Sequence, residues 1–105
     1  MRQGDKRVIE RQLPIVWLVN GKIRVLDNKL GAIDKALIVL YYTRAPIASK
    51  DIVSHIKYSN ASVFRKKVLK PADSEMLLEF DEKSDLVHIS PLGSERVEKL
   101  LAQRT

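Results

Sequence analysis

Residues 57–70 carry Lys57, Arg65, Lys66, Lys67 and Lys70 without one acid, and the hydroxyls of Ser59 and Ser62 stand among them. That set suits a polyanion. A guanidinium can fork onto the O6 and N7 acceptors of a guanine, a lysine ammonium neutralises a phosphate, and a serine hydroxyl serves a base edge or a phosphate. The following stretch reverses the sign, because residues 71–85 hold Asp73, Glu75, Glu79, Asp81, Glu82 and Asp85 against Lys83 alone. The net charge of +6 already favours an anionic partner, and its segregation says where that partner would sit.

Other chemistries find little support. The chain has no cysteine, which removes disulfides, thiolate zinc sites and cysteine nucleophiles together and fits a reducing compartment. His55 and His88 each stand without a second ligand at metal spacing, so ordinary structural or surface roles are expected of them. There is no Gly-rich phosphate loop and no Ser, His and acid constellation in a known local pattern, so the expectation is a non-enzymatic chain without metal or cofactor. No apolar run approaches the roughly 20 residues that span a bilayer. Residues 1–12 read as a flexible basic N-terminus rather than a signal peptide, and a cytoplasmic, single-domain protein over 13–105 is expected.

A basic stripe works only if rigid elements present it. Two β-rich runs flank Asn20-Gly21, the strongest short-range hairpin signal, so a hairpin is predicted over 13–26. Ile33, Ala36, Leu37, Leu40 and Tyr41 recur at helical spacing and predict a core-facing helix over 32–43, ended by Ala45-Pro46. Ser49 is read as the cap of a short second helix that buries Ile52, Val53 and Ile56, with Lys50 in its first turn. After a turn at Lys57-Tyr58-Ser59, Asn60 caps a third helix running through about Ala72. On it Phe64, Val68 and Pro71 are expected to face the core, leaving Ser62, Arg65, Lys66 and Leu69 outward. Alternation from Met76 to Phe80 and again over 86–89 predicts a hairpin over 76–89 with an acidic tip, and Ser90-Pro91 opens a terminal helix over 91–103. Trp17 fits either ordinary core or an exposed apolar strip used for dimerisation.

Helix, short helix, tight turn, basic helix, two-stranded hairpin and terminal helix is the order of a winged helix-turn-helix, an α+β fold with a three-helix core, here carrying an extra N-terminal hairpin. The runs Glu75-Met76-Leu77-Leu78-Glu79-Phe80-Asp81-Glu82 and Leu86-Val87-His88-Ile89-Ser90-Pro91-Leu92-Gly93 resemble the wing and following helix start of MarR-like and PadR-like transcription regulators. The resemblance covers about residues 31–103. It implies a homodimer that binds double-stranded DNA sequence-specifically and regulates transcription. It further implies that the helix over 61–70 enters the major groove, with Ala61, Ser62, Arg65 and Lys66 nearest base edges and Lys67 and Lys70 at phosphates. Lys50, Lys57 and Ser59 complete the expected contact set.

Two departures from that pattern stand out. The wing tip carries Asp81, Glu82 and Asp85 around Lys83, where many relatives are basic, and Met76 occupies a place where many have a glycine. The acidic tip supports a rival expectation, a winged-helix protein-interaction module whose wing meets a basic partner.

Overall fold

The computed structural model describes residues 14–103, and the basic N-terminus expected over 1–12 lies outside them. The described chain is α+β, with helices and two small antiparallel sheets. Strands β1 (Val16–Val19) and β2 (Lys22–Val25) pair Val16 with Val25 and Val19 with Lys22. Their turn has positive φ at both Asn20 (51°) and Gly21 (73°), the geometry that a two-residue type I′ turn requires. Trp17 is 55% exposed on β1, so it is not core.

Helix α1 (Ala32–Thr43) has the predicted bounds but sits deeper than one amphipathic stripe implies. Ala36, Leu37, Ile38, Val39 and Leu40 are all buried, because neighbouring helices and strands from both sheets close around its middle. Arg44 then takes a left-handed φ of 58° and its amide bonds Leu40 O, so the helix ends before Pro46.

No periodicity predicts the next element, the two-residue strand β3 (Ile47–Ala48). Helices α2 (Ser49–Ile56) and α3 (residues 61–74) follow, then strands β4 (Leu78–Asp81) and β5 (Leu86–Ile89). Strand β3 pairs Ile47 with Val87 and Ala48 with Leu86, which makes a three-stranded sheet in the order β3–β5–β4. The start of α2 is thereby tied to the base of the hairpin.

The alternation expected from Met76 is corrected, since β4 starts at Leu78 and Met76 is 70% exposed with φ 63°. Met76 stands where the chain leaves α3. The Met76 amide bonds Asp73 O at 2.9 Å and the Leu77 amide bonds Ala72 O at 3.0 Å, the paired i−3 and i−5 bonds of a Schellman ending. Methionine here adopts the conformation that glycine takes without steric penalty.

Helix α4 (Pro91–Ala102) starts as predicted, with Pro91 in its first turn and the Ser90 hydroxyl accepting from the Gly93 amide at 3.0 Å. That hydroxyl also donates to Met76 O at 2.5 Å. Gly93 is buried, and only glycine fits there, because a Cβ would run into Leu77 O and come within 2.9 Å of Ile89 Cγ1. Farther along, Arg96 Nε reaches Asp34 Oδ1 at 2.7 Å and the Tyr41 hydroxyl donates to Glu98 Oε2 at 3.1 Å, fixing α4 across α1. The Glu98 carboxylate bonded to it, with some burial, raises the Tyr41 phenol above its ordinary value.

Two substitutions at the ends of this joint are expected to act in opposite directions. Gly93→Ala should lower unfolding stability by ~2 kcal/mol or more, since the clash is with backbone, whereas Met76→Gly should raise it by ~0.5 kcal/mol by relieving the left-handed strain. Urea midpoints at unchanged slope measure both.

Candidate nucleic-acid interface

The predicted cap of α2 is not where the structure uses Ser49. Ala48 occupies the cap position without a side-chain bond, and Ser49 lies inside the first turn with no solvent exposure. Its hydroxyl donates to Asp85 Oδ1 at 2.6 Å and accepts from Arg65 Nη1 at 3.2 Å, while its amide bonds Asp85 O at 2.9 Å. The hydroxyl donates to a carboxylate and accepts from a guanidinium, two charge-assisted bonds stronger than the one it would accept from a neutral backbone amide as a cap, so the long-range partners prevail. Three elements meet at this hydroxyl: the start of α2, the middle of α3 and the end of the hairpin turn.

Between α2 and α3 the chain turns at Lys57, whose φ is 57° and whose amide bonds Val53 O. Tyr58 closes the turn, its ring centroid 5.1 Å from that of Phe64. Asn60 caps α3 as predicted, its side-chain oxygen accepting from the Val63 amide at 3.0 Å.

Helix α3 departs from a regular α-helix. Ala61–Phe64 is α-helical, Arg65–Leu69 is a π turn, and Lys70–Ser74 is α-helical again, so the helix runs two residues beyond the predicted end near Ala72. The Lys70 amide reaches back to Arg65 O, five residues away. This widened turn immediately precedes Pro71, which has no amide to donate and whose ring would crowd a tighter turn. It also corrects the predicted faces. Leu69, expected outward, is fully buried with Phe64, Val68 and Ala72, whereas Pro71 is only half-buried.

The outward wall of α3 faces the β4–β5 hairpin across an open groove of about 460 Å³, lined by Ser62, Arg65, Lys66, Lys70, Phe80, Glu82 and Asp85. Four predicted contact residues are thus brought together. Lys67 is exposed on α3 outside this lining; Lys50 is exposed in the first turn of α2, and Lys57 and Ser59 are exposed in the turn between the helices. Ala61 is half-buried and does not line the groove.

Residue types alone did not predict that the acidic hairpin would contact these cations. Lys70 Nζ lies 3.3 Å from Glu82 Oε2, with both side chains more than half exposed, and Arg65 Nη1 lies 4.0 Å from Asp85 Oδ1. The first pair is worth at most ~1 kcal/mol at such exposure. Asp81 turns back on the hairpin, accepting from the Ser84 hydroxyl at 2.9 Å and the Lys83 amide at 3.0 Å, and these bonds hold its carboxyl below the ordinary range. Lys50, Lys57, Lys66 and Lys67 make no ion pair among the described residues. Sequence reasoning therefore missed Phe80, Glu82 and Asp85 as groove residues, and Ser49 as the buried hydroxyl behind them. Asp85 sits at a left-handed φ of 63°, a turn signal legible only once the strands are in register.

Compared with protein-family models, curated proteins and solved structures, the chain matches none. The reading of the groove rests on its own geometry.

The far end of α2 is held by the N-terminal hairpin. The Ile23 amide donates to His55 Nδ1 at 2.9 Å, and Arg24 Nη1 donates to both Ser54 O and His55 O at 2.6 Å, placing a cation on the carbonyl end of the helix. Burial, then Lys22 and Arg24, push the His55 imidazole below its ordinary value, and Asp51 opposes them weakly. Nδ1 accepts only while it carries no proton. The unfolded chain therefore binds a proton at His55 more readily than the folded one, so its contribution is complete above about pH 6.5 and is lost as pH falls through the lowered folded value. Urea midpoints should drop from pH 7.5 to pH 5.5 in the wild type by more than in His55→Asn, whose side-chain oxygen accepts without titrating.

Proposed function

We propose that the chain is a winged helix-turn-helix protein that binds double-stranded DNA, with α3 in the major groove and the β4–β5 hairpin beside it. One observation carries the reading: the α2–turn–α3 pair presents Ser62, Arg65, Lys66 and Lys70 on one open wall next to that hairpin. The order of elements and the β3–β5–β4 sheet agree with it, because a short strand between α1 and α2 that closes onto the hairpin fixes the hairpin's position relative to α3. Lys50, Lys57, Lys67 and Lys70, all exposed on or around that wall, supply phosphate contacts. Arg65 supplies base contact.

A two-fold assembly on a pseudo-palindromic site belongs to the proposal, since one such domain offers a small interface and symmetry doubles it. Exposed Trp17 and Leu18, at 55% and 69%, provide apolar surface for it on β1. Regulation of transcription is the role that this binding would serve. The rival, a protein-interaction module using the hairpin acids, is less favoured because Asp81 and Asp85 each accept a short bond within the chain, from the Ser84 and Ser49 hydroxyls.

The test is fluorescence anisotropy with a labelled mixed-sequence duplex at about 50 and about 200 mM salt. Four phosphate contacts predict micromolar binding at the lower salt that weakens roughly a hundredfold at the higher one. Lys67→Ala should reduce the logarithmic salt slope by about one contact on every sequence, whereas Arg65→Ala should relax discrimination among sequences by ~1–3 kcal/mol. Absence of binding at low salt would transfer the assignment to the protein-interaction module.

A further inference from the structure

We propose that Ser49 and Asp85 are positioning residues for Arg65, holding its guanidinium on the groove wall so that it meets nucleic acid already oriented. The inference rests on the DNA reading above and names which residues set its selectivity.

Ser49 is the buried polar residue of the described core, with no solvent exposure. Burying a hydroxyl is unfavourable unless both its donor and its acceptor functions are used. Here the proton goes to Asp85 Oδ1 at 2.6 Å, which leaves the oxygen lone pairs for Arg65 Nη1 at 3.2 Å. The direction is fixed. A carboxylate cannot donate, so the hydroxyl must donate to it and accept from the guanidinium. Asp85 is itself anchored, because its carbonyl oxygen accepts from the Ser49 amide at 2.9 Å and its residue closes onto the first pair of β5.

Arg65 is thereby held at one nitrogen, with its side chain 38% exposed on the groove. Only Nη1 is engaged by Ser49. The remaining guanidinium donors include an adjacent pair on one edge, the geometry that a guanine O6 and N7 or a phosphate accepts. A free arginine loses rotamer freedom when it docks, and one already fixed loses less, which sharpens the difference between a base that accepts both bonds and one that does not. The π turn begins at this residue, so the backbone from which the side chain springs is set by the same packing that buries Leu69.

A competing role for the carboxylate is intramolecular: Asp85 would merely occupy Arg65 and weaken every duplex alike. The two roles separate in one experiment. The full chain and the variants Ser49→Ala, Asp85→Asn, Arg65→Ala and Ser49→Ala with Arg65→Ala are titrated against the mixed-sequence duplex and against the best duplex that the wild type selects from a randomised pool. Positioning predicts that Ser49→Ala lowers the preference for the selected duplex about tenfold while mixed-duplex affinity changes less than about twofold, the scale of one bidentate base contact. It predicts a smaller loss of preference in the same direction for Asp85→Asn, which keeps an acceptor oxygen for Ser49 but removes the charge 4.0 Å from Arg65 Nη1. In the Arg65→Ala background Ser49→Ala should change nothing further.

Unaltered preference in Ser49→Ala, or an effect that persists without Arg65, overturns the proposal. So does Asp85→Asn binding both duplexes more tightly at unchanged preference. A readout independent of DNA accompanies these, the ¹⁵N relaxation of the Arg65 Nε–Hε group, expected to be ordered in the wild type and mobile in Ser49→Ala; equal mobility overturns the positioning. A wild type that binds no duplex at low salt overturns the DNA reading itself, and with it the use proposed for a guanidinium that the relaxation data can still find ordered.

Discussion

Phe64 and Leu69 are both fully buried, yet five residues along a regular α-helix carry a side chain about 140° around the axis, too far for both to enter one core. The π turn over Arg65–Leu69 removes the conflict, because its five-residue closure returns Leu69 close to the azimuth of Phe64. The same rotation keeps Lys70, five residues beyond Arg65, on the wall that Arg65 occupies. Arg65, Lys66 and Lys70 reach the groove because Phe64, Val68, Leu69 and Ala72 have taken the core, and Pro71 sits where the widened turn leaves room for a residue without an amide.

The groove is not an unbroken cationic surface. Its two walls come from segments of opposite charge, so the hairpin partly neutralises the helix it faces. Magnitudes sort the contacts. Lys70 with Glu82 is an exposed pair that salt and side-chain entropy reduce to little. The Asp85, Ser49 and Arg65 chain includes a buried hydroxyl and a short bond to a carboxylate, and removing one partner leaves a polar group unsatisfied away from water. The first contact tunes charge, and the second fixes geometry.

The rest of the fold holds these two walls in register. Strand β3 ties the start of α2 to β5, so Ser49 and Asp85 belong to one locally rigid corner. Gly93 lets α4 approach Leu77 closely, and the Ser90 hydroxyl links the start of α4 to the Met76 carbonyl, fixing the joint between α3 and β4. The N-terminal hairpin binds the opposite end of α2 through His55 and Arg24. Both ends of α2 are therefore set by segments distant in sequence.

The sequence by itself determined what depends on interactions within a few residues. Asn20-Gly21 specified a two-residue turn, apolar spacing and Pro46 specified α1, and Asn60 and Ser90 specified helix starts, because each signal is a φ preference, a helical period or a bond across three residues. The α+β class and the clustering of Ser62, Arg65, Lys66 and Lys70 were legible for the same reason. Tertiary structure alone decided that Leu69 turns inward, that Ile47 and Ala48 become a strand, and that Ser49 serves a carboxylate 36 residues away rather than its own helix. A local pattern cannot specify these outcomes, because a two-residue strand exists only when a partner edge is present, and a hydroxyl chooses between a nearby amide and a distant charge only once the chain has folded.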